Sequence, residues 1–147
     1  MATDPFDFDG VIAQAGTDED WRGMSPETVL GHMHLHVGDL HAATNFYQEV
    51  IGFDVMNADF PSARFLSTGG YHHHLGINTW NSDGAPPAPE HAIGLEYYTV
   101  VLPDEGSLNA LQARLNLANT QLHETQGGIY VKDPSGNGIK FTSEGSD

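Results

Sequence analysis

The chain has 147 residues, of which 39% are hydrophobic, and this fits one domain with its own hydrophobic core. It has no cysteine, which excludes disulfides and thiolate metal ligands, and no apolar run approaches the ~20 residues that a membrane span needs. Twenty acidic and five basic residues give a net charge of −15, so the chain has no basic stripe that would bind nucleic acid.

The same charge predicts a salt-rich environment. A surface with this much like charge repels itself in dilute buffer, whereas the screening length falls to about 3 Å at 1 M salt. We therefore predict a protein from a halophile; the alternative is an ordinary acidic protein. The N-terminus carries acidic residues where a signal peptide has basic ones, so we also predict a cytoplasmic location.

Composition along the chain predicts its organisation. Residues 1–28 are acidic and lack periodic apolar positions, which is typical of an arm or linker, whereas residues 29–147 predict one folded domain. Inside that domain, the polar and proline-rich residues 81–92 predict a link between two modules, at about 29–80 and 93–145.

The first module opens with strict alternation over residues 31–37, which predicts a half-buried strand. One face of this strand carries His32, His34 and His36, and the other carries Met33, Leu35 and Val37. Asp39 then predicts the N-cap of a helix that ends at Gly52. Strands are predicted over residues 53–56, 64–67 and 72–79.

The same order of elements recurs after the link. A strand is predicted over residues 95–102, a helix after Asp104, and strands over 121–124, 129–132 and 139–142. This predicts an α+β fold built from two βαβββ modules with mostly antiparallel strands. Both helices should pack against the sheets and bury the apolar residues Leu40, Tyr47, Val50, Leu108, Leu111 and Leu115.

Seven of the nine histidines lie between positions 32 and 74. A neutral imidazole ring is a common metal ligand, so this density indicates a metal or substrate site. If residues 72–79 form a strand, His72 and His74 share one face and His73 lies on the other. His41, His91 and His123 are expected to have no special role.

The segment GHMHLHVGDLHAATNFYQEVIGF resembles the opening strand and helix of the vicinal oxygen chelate superfamily, which includes glyoxalases, bleomycin-resistance proteins and extradiol dioxygenases. GGYHHHLGINTWNSDGAPP, GLEYYTVVLP and DPSGNGIKFTS resemble the C-terminal half of two-domain catechol 2,3-dioxygenase-like proteins. The resemblance implies that the paired βαβββ modules form a cupped, mostly antiparallel sheet, with the helices on its convex side and metal ligands from the first, fourth, fifth and eighth strands. Tyr97 stands where the dioxygenases place a second histidine, and Lys140 stands where they place a glutamate, so the His-His-Glu triad is incomplete.

These considerations give the predicted site. The metal ligands are His32, His72 and His74; the catalytic residues are His34 and Tyr97; the substrate pocket adds His36, Asn78, Trp80 and Lys140. The metal would be one divalent ion: Fe(II), Zn(II), Ni(II) or Mn(II).

The predicted function is that of a metal-dependent, dioxygenase-like domain that binds a small molecule with vicinal oxygen atoms. Two alternatives stay open: a non-catalytic companion or small-ligand-binding domain of the bleomycin-resistance kind, and a glyoxalase-type isomerase. An open sheet edge needs cover, so we expect a homodimer or pairing with a sister domain of the same fold, and no membrane partner.

Overall fold

The computed structural model describes residues 5–14 and 22–145 of the chain. The chain divides into two compact units, Met1–Leu30 and Gly31–Asp147. The first unit contains helix α1, Phe8–Gln14, which buries none of its residues and which the sequence did not predict. Asp7 caps it by accepting a hydrogen bond from Gly10 N at 2.9 Å. None of the helices in the described ranges is long and apolar enough to cross a membrane.

The second unit begins with a βαβββ module. Its elements are β1 (Met33–His36), α2 (Leu40–Asn45), a π-helical segment that continues α2 (Phe46–Ile51), β2 (Asp54–Asn57), β3 (Ala63–Ser67) and β4 (Leu75–Asn78). The four strands form one sheet in the order β1-β4-β3-β2. The outer pair β1 and β4 is parallel, and the other two pairs are antiparallel.

The helix of this module begins and ends where the sequence predicted. Asp39 Oδ1 accepts a hydrogen bond from Ala42 N at 2.9 Å, and Gly52 ends the helix in the left-handed region with φ of 101°. The last turn widens, because Gly52 N and Phe53 N both donate to Tyr47 O. This π-helical turn was not predicted.

The second module repeats the plan. Its elements are β5 (Tyr98–Leu102), α3 (Glu105–Leu117), β6 (Leu122–Thr125), β7 (Gly128–Lys132) and β8 (Gly138–Ser143). The sheet order β5-β8-β7-β6 matches that of the first module, again with a parallel outer pair. The predicted α+β class and the duplicated βαβββ order are therefore confirmed, with one four-stranded sheet in each module.

The hydrophobic core lies between the helices and one face of each sheet. Tyr47, Leu108, Leu111 and Leu115 are buried as predicted, whereas Leu40 and Val50 are only partly buried against the core. Leu35 of β1 and Val37, which follows β1, are buried in this core. The histidines that alternate with them therefore lie on the opposite face of the sheet, as the period of two predicted.

Hydrogen bonds between the modules hold two places in module 1: the end of its helix and the end of β1. Arg114 of α3 donates to Val50 O and Ile51 O, at the end of the first module's helix. In the turn before β8, the hydroxyl oxygen of Ser135 accepts from Gly38 N at 2.9 Å, and Asn137 donates to His36 O at 3.2 Å. A turn of module 2 thus supports the strand that carries the histidines.

Candidate metal site

His34 lies close to the surface of the first sheet. In the register of β1 and β4 it stands beside Gly76. A Cβ atom built on Gly76 would lie 2.7 Å from His34 Cε1, so only glycine leaves room for the ring at this depth. The ring also makes an edge contact with Phe65, with 5.9 Å between centroids.

His73 is the most buried of the clustered histidines, with 6% of its surface exposed. Its ring centroid lies 4.4 Å from that of His32, 4.6 Å from that of His72 and 5.1 Å from that of Phe65. Both ring nitrogens are buried and have no hydrogen-bond partner. Because burying unpaired polar atoms costs free energy, this ring is suited to a ligand that one of its nitrogens would bind.

Three donor nitrogens converge at this point. The ligand atoms of His32, His72 and His73 all lie within 4.8 Å of one another. Around a tetrahedral ion with metal–nitrogen bonds of about 2.0–2.1 Å, ligand atoms are about 3.4 Å apart, so a shift of roughly 1 Å closes the site. His32 and His72 have exposed side chains that can make this shift. The group therefore fits a divalent ion and leaves a position for a further ligand.

The electrostatics favour the neutral rings that bind metal. Burial lowers the pKa of His73, and the neighbouring His32, His72, His34 and His74 rings lower it further. Burial, followed by the His32 ring, also lowers the pKa of His34. A neutral imidazole keeps the lone pair that a metal ion needs, so His73 is in the ligating form at neutral pH.

His74, predicted as a ligand, does not belong to this group of three. Its Nδ1 accepts a hydrogen bond from Thr68 N at 3.4 Å and lies 2.9 Å from the Ser67 hydroxyl oxygen. A neutral ring has one nitrogen with a free lone pair. In His74 that nitrogen is already engaged with its neighbours.

The structure brings His73 to the site because β4 begins later than predicted. Strand alternation from residue 72 would place His73 on the opposite face from His72. However, β4 begins only at Leu75, so the alternation does not apply to His72 and His73. The sequence carries one signal that the chain turns here: the Gly69-Gly70 pair, which Tyr71 separates from the histidines. In the structure these glycines have φ angles of 65° and 75° and form a turn.

Three other predicted pocket residues have different surroundings. His36 is exposed, and its main-chain oxygen, rather than its ring, accepts the bond from Asn137. Asn78 is buried, and its side-chain oxygen accepts a bond from Trp80 N at 3.2 Å. The Trp80 side chain is 58% exposed and is accessible to a ligand.

A comparison with known protein families matches residues 29–141 to the glyoxalase/bleomycin resistance protein/dioxygenase superfamily. The chain belongs to this superfamily. Its members usually bind a divalent metal, act on small molecules and often form dimers.

The chain is similar to the catechol-2,3-dioxygenase of Bacillus subtilis (strain 168). The two sequences are 46% identical over 143 residues, which is 96% of this chain and 50% of the relative. The chain therefore spans about half the length of the curated relative that it matches.

Solved structures of the superfamily share the fold. A lactoylglutathione lyase from Agrobacterium tumefaciens superimposes with a TM-score of 0.61 at 20% identity, over 82% of this chain and 96% of that one. A fosfomycin resistance protein, FosX, from Listeria monocytogenes gives 0.58 at 15% identity, over 78% and 90%. At these identities the likeness concerns the fold alone.

Tyr97 and Lys140, the two positions at which the resemblance implied other ligands, lie on module 2. Lys140 is on β8, in register with Thr99 and Tyr130, and Tyr97 directly precedes β5. Within the described ranges, no hydrogen bond or ring contact joins either residue to the histidine group. A protonated lysine is not a metal ligand, so the histidines of module 1 fit a metal ion and Lys140 does not.

Proposed function

We propose that this domain binds one divalent metal ion through His32, His72 and His73, and that a small molecule with two vicinal oxygen atoms binds next to it. The observation that carries the proposal is the buried His73 ring, whose two unpartnered nitrogens lie beside the donor atoms of His32 and His72. Three imidazoles suit Zn(II), Ni(II) or Fe(II) better than Mn(II), which prefers oxygen ligands.

The metal, when bound, supplies a Lewis acid that favours the deprotonated form of a hydroxyl group on the ligand. His34 is placed to accept that proton, because its ring centroid lies 5.0 Å from that of His32 and its lowered pKa keeps the ring neutral, with one nitrogen able to accept a proton. Phe65 and Phe60, in edge contact at 5.7 Å, provide apolar surface beside the ring of His34. Such a surface suits an aromatic ligand such as a catechol.

The relation to a catechol-2,3-dioxygenase supports ring cleavage as the activity. A non-catalytic companion domain is a second candidate, since Tyr97 and Lys140 replace two of the implied ligands. A glyoxalase-type isomerase has less support, because the histidine group contains no carboxylate to act as a base. Because members of this superfamily often form dimers, pairing with a second copy or a sister domain is supported. We further propose that the protein works in a halophile's cytoplasm.

Calorimetric titration of tag-free protein with Zn(II), and with Fe(II) under anaerobic conditions, at about pH 7.5 tests the metal site. We expect one bound ion, and a loss of affinity of at least tenfold in His32→Ala and His73→Ala. His74→Ala is the matched control from the same run of histidines and should retain binding. Equal affinity of the parent and His73→Ala would refute the site.

Catechol and resorcinol separate the two candidate functions. Both are benzenediols, but only catechol has vicinal oxygens. We expect the Fe(II)-loaded protein to bind catechol and not resorcinol. Oxygen consumption with formation of a ring-cleaved product would support the dioxygenase, and binding without oxygen consumption would support the companion domain.

A further inference from the structure

Both lysines of the chain lie on one face of the module 2 sheet. On β7, Ile129 and Val131 are buried in the core, so Lys132 points to the opposite side. On β8, Ile139 and Phe141 are buried, and Lys140 likewise points away from the core. We call this side, defined by Tyr97, Thr99, Tyr130, Lys132 and Lys140, the lysine face.

The strand register aligns side chains across this face. Lys140 stands directly between Thr99 of β5 and Tyr130 of β7, and Tyr130 in turn pairs with His123 of β6. A hydroxyl, an ammonium, a phenol and an imidazole group therefore form one row across all four strands. Each of these groups can donate a hydrogen bond.

Two tyrosine rings form a corner beside this row. The rings of Tyr97 and Tyr130 are nearly perpendicular, at 87°, with centroids 6.4 Å apart. A Cβ atom built on Gly138 would lie 2.7 Å from the Tyr130 hydroxyl oxygen, so this ring reaches across β8. Tyr97 is 44% exposed. A planar ligand can stack on one ring and make an edge contact with the other.

The arginine and lysine side chains of the second unit, Gly31–Asp147, differ in their hydrogen bonding. Arg64 donates to the main-chain oxygens of Phe60 and Ala63, and Arg114 donates to those of the first module's helix. The two lysines form no hydrogen bond or ion pair within the described ranges. In a chain with twenty acidic residues, two lysines without acidic partners on one face are available to an anion from outside.

We propose that the lysine face binds a small aromatic carboxylate. Its ring would contact Tyr130 and Tyr97, and its carboxylate would accept hydrogen bonds from Lys140 and the Thr99 hydroxyl group. The same combination of aromatic surface and two cations would bind a neutral ring or an aliphatic acid less tightly. This site uses none of the three metal-binding histidines. It includes Tyr97 and Lys140, two positions where the resemblance implied metal ligands, and the chelator in its test separates its failure from failure of the proposed metal site.

Ligand-observed NMR titration of the full chain with benzoate, in the presence of a chelator, tests the proposal. Benzamide and cyclohexanecarboxylate are the matched probes, because one lacks the charge and the other lacks the aromatic ring. We expect benzoate to bind about tenfold more tightly than either. Its affinity should also fall between 0.15 M and 1 M salt, because the charges are screened.

Lys140→Met should weaken benzoate binding about tenfold and abolish the preference over benzamide. The control is Asn109→Asp, which changes the net charge by the same −1 on the exposed surface of α3 and should leave affinity unchanged. His32→Ala should also bind benzoate normally, even if it no longer binds metal. Equal affinity for benzoate and benzamide, no binding of benzoate, or unchanged affinity in Lys140→Met would each overturn the proposal.

Discussion

The Tyr47 hydroxyl group donates a hydrogen bond to Asp133 Oδ2 at 2.9 Å, between residues 86 positions apart. Tyr47 belongs to the helix of module 1, and Asp133 opens the turn before β8. The carboxylate also accepts bonds from Ser135 N, from Asn137 N and from the Asn137 side chain. Burial raises the pKa of Tyr47, and neighbouring Tyr98 raises it further, so its hydroxyl keeps the donated proton. One buried carboxylate therefore joins the modules.

The first prediction concerns this carboxylate. Asp133→Asn replaces one acceptor oxygen with a donor that faces existing donors, and this leaves buried groups unpaired. We expect the free energy of unfolding to fall by about 1–3 kcal/mol, as measured by urea denaturation. Asp83→Asn, which removes the same charge from an exposed residue, is the control and should unfold like the parent. Equal losses in both variants would contradict the role of the buried network.

The second prediction concerns the close approach of Gly76 and His34. In Gly76→Ala the new methyl group would overlap the imidazole ring, so the ring must leave its place above β4. We expect only a small loss in unfolding free energy, below about 1 kcal/mol, because His34 is exposed and its ring can turn away from the new methyl group. The Cε1 proton resonance of His34 should also shift.

Gly31→Ala provides the control for this change, because nothing lies within 4 Å of a Cβ atom built on Gly31. It should leave both the stability and the His34 resonance unchanged. If Gly76→Ala behaved like Gly31→Ala, the packing of the ring on β4 would be wrong.

Local chemistry made much of this fold predictable from the sequence. The caps Asp39 and Asp104 mark the starts of α2 and α3, because an aspartate accepting a main-chain bond two or three residues later is a short-range interaction. The alternation over residues 31–37 likewise decided which side of β1 carries the histidines. Neither inference needs information about distant parts of the chain.

The features that could not be predicted from the sequence depend on contacts between residues that are far apart along the chain. The bond from Tyr47 to Asp133 joins two modules, and no periodicity within either module predicts it. His73 was assigned to the wrong side because the start of β4 is set by pairing with β1 and β3, not by the histidine run itself. Its convergence with His32 follows from that pairing.

The third prediction concerns pH and His73. Its pKa in the folded protein is lowered from the ordinary 6.5, so near and below this pH the unfolded state binds more protons than the folded state. The stability from the neutral ring is fully present above about pH 6.5 and is lost as the pH falls. His73→Phe has no such proton to bind, so its stability relative to the parent should increase from pH 7 to pH 5.

Chelator-treated protein should be used for this comparison, with urea denaturation at each pH. Taking the difference between the two proteins cancels the titration of the many carboxylates, which both share. Between about pH 7.5 and 8.5 the difference should be constant, since His73 is neutral in both states there. A difference that did not change from pH 8.5 to pH 5 would show that His73 is not held neutral by its surroundings.

The last prediction concerns salt. The net charge of −15 opposes folding by self-repulsion, which salt weakens as the screening length falls from about 10 Å at 0.1 M to about 3 Å at 1 M. We expect the free energy of unfolding in urea to rise by about 1 kcal/mol or more over this range. Urea is the appropriate denaturant because guanidinium is itself a salt.

A triple variant tests whether charge is the cause. Asp59→Asn, Asp83→Asn and Glu90→Gln replace exposed acids and change the net charge from −15 to −12 (−15 plus three). The variant should be more stable than the parent at 0.1 M salt and similar to it at 1 M, because screening removes the repulsion that the substitutions relieve. The dependence of stability on salt should therefore be smaller in the variant. A parent protein whose stability is the same at both salt concentrations would argue against adaptation to a salt-rich cytoplasm.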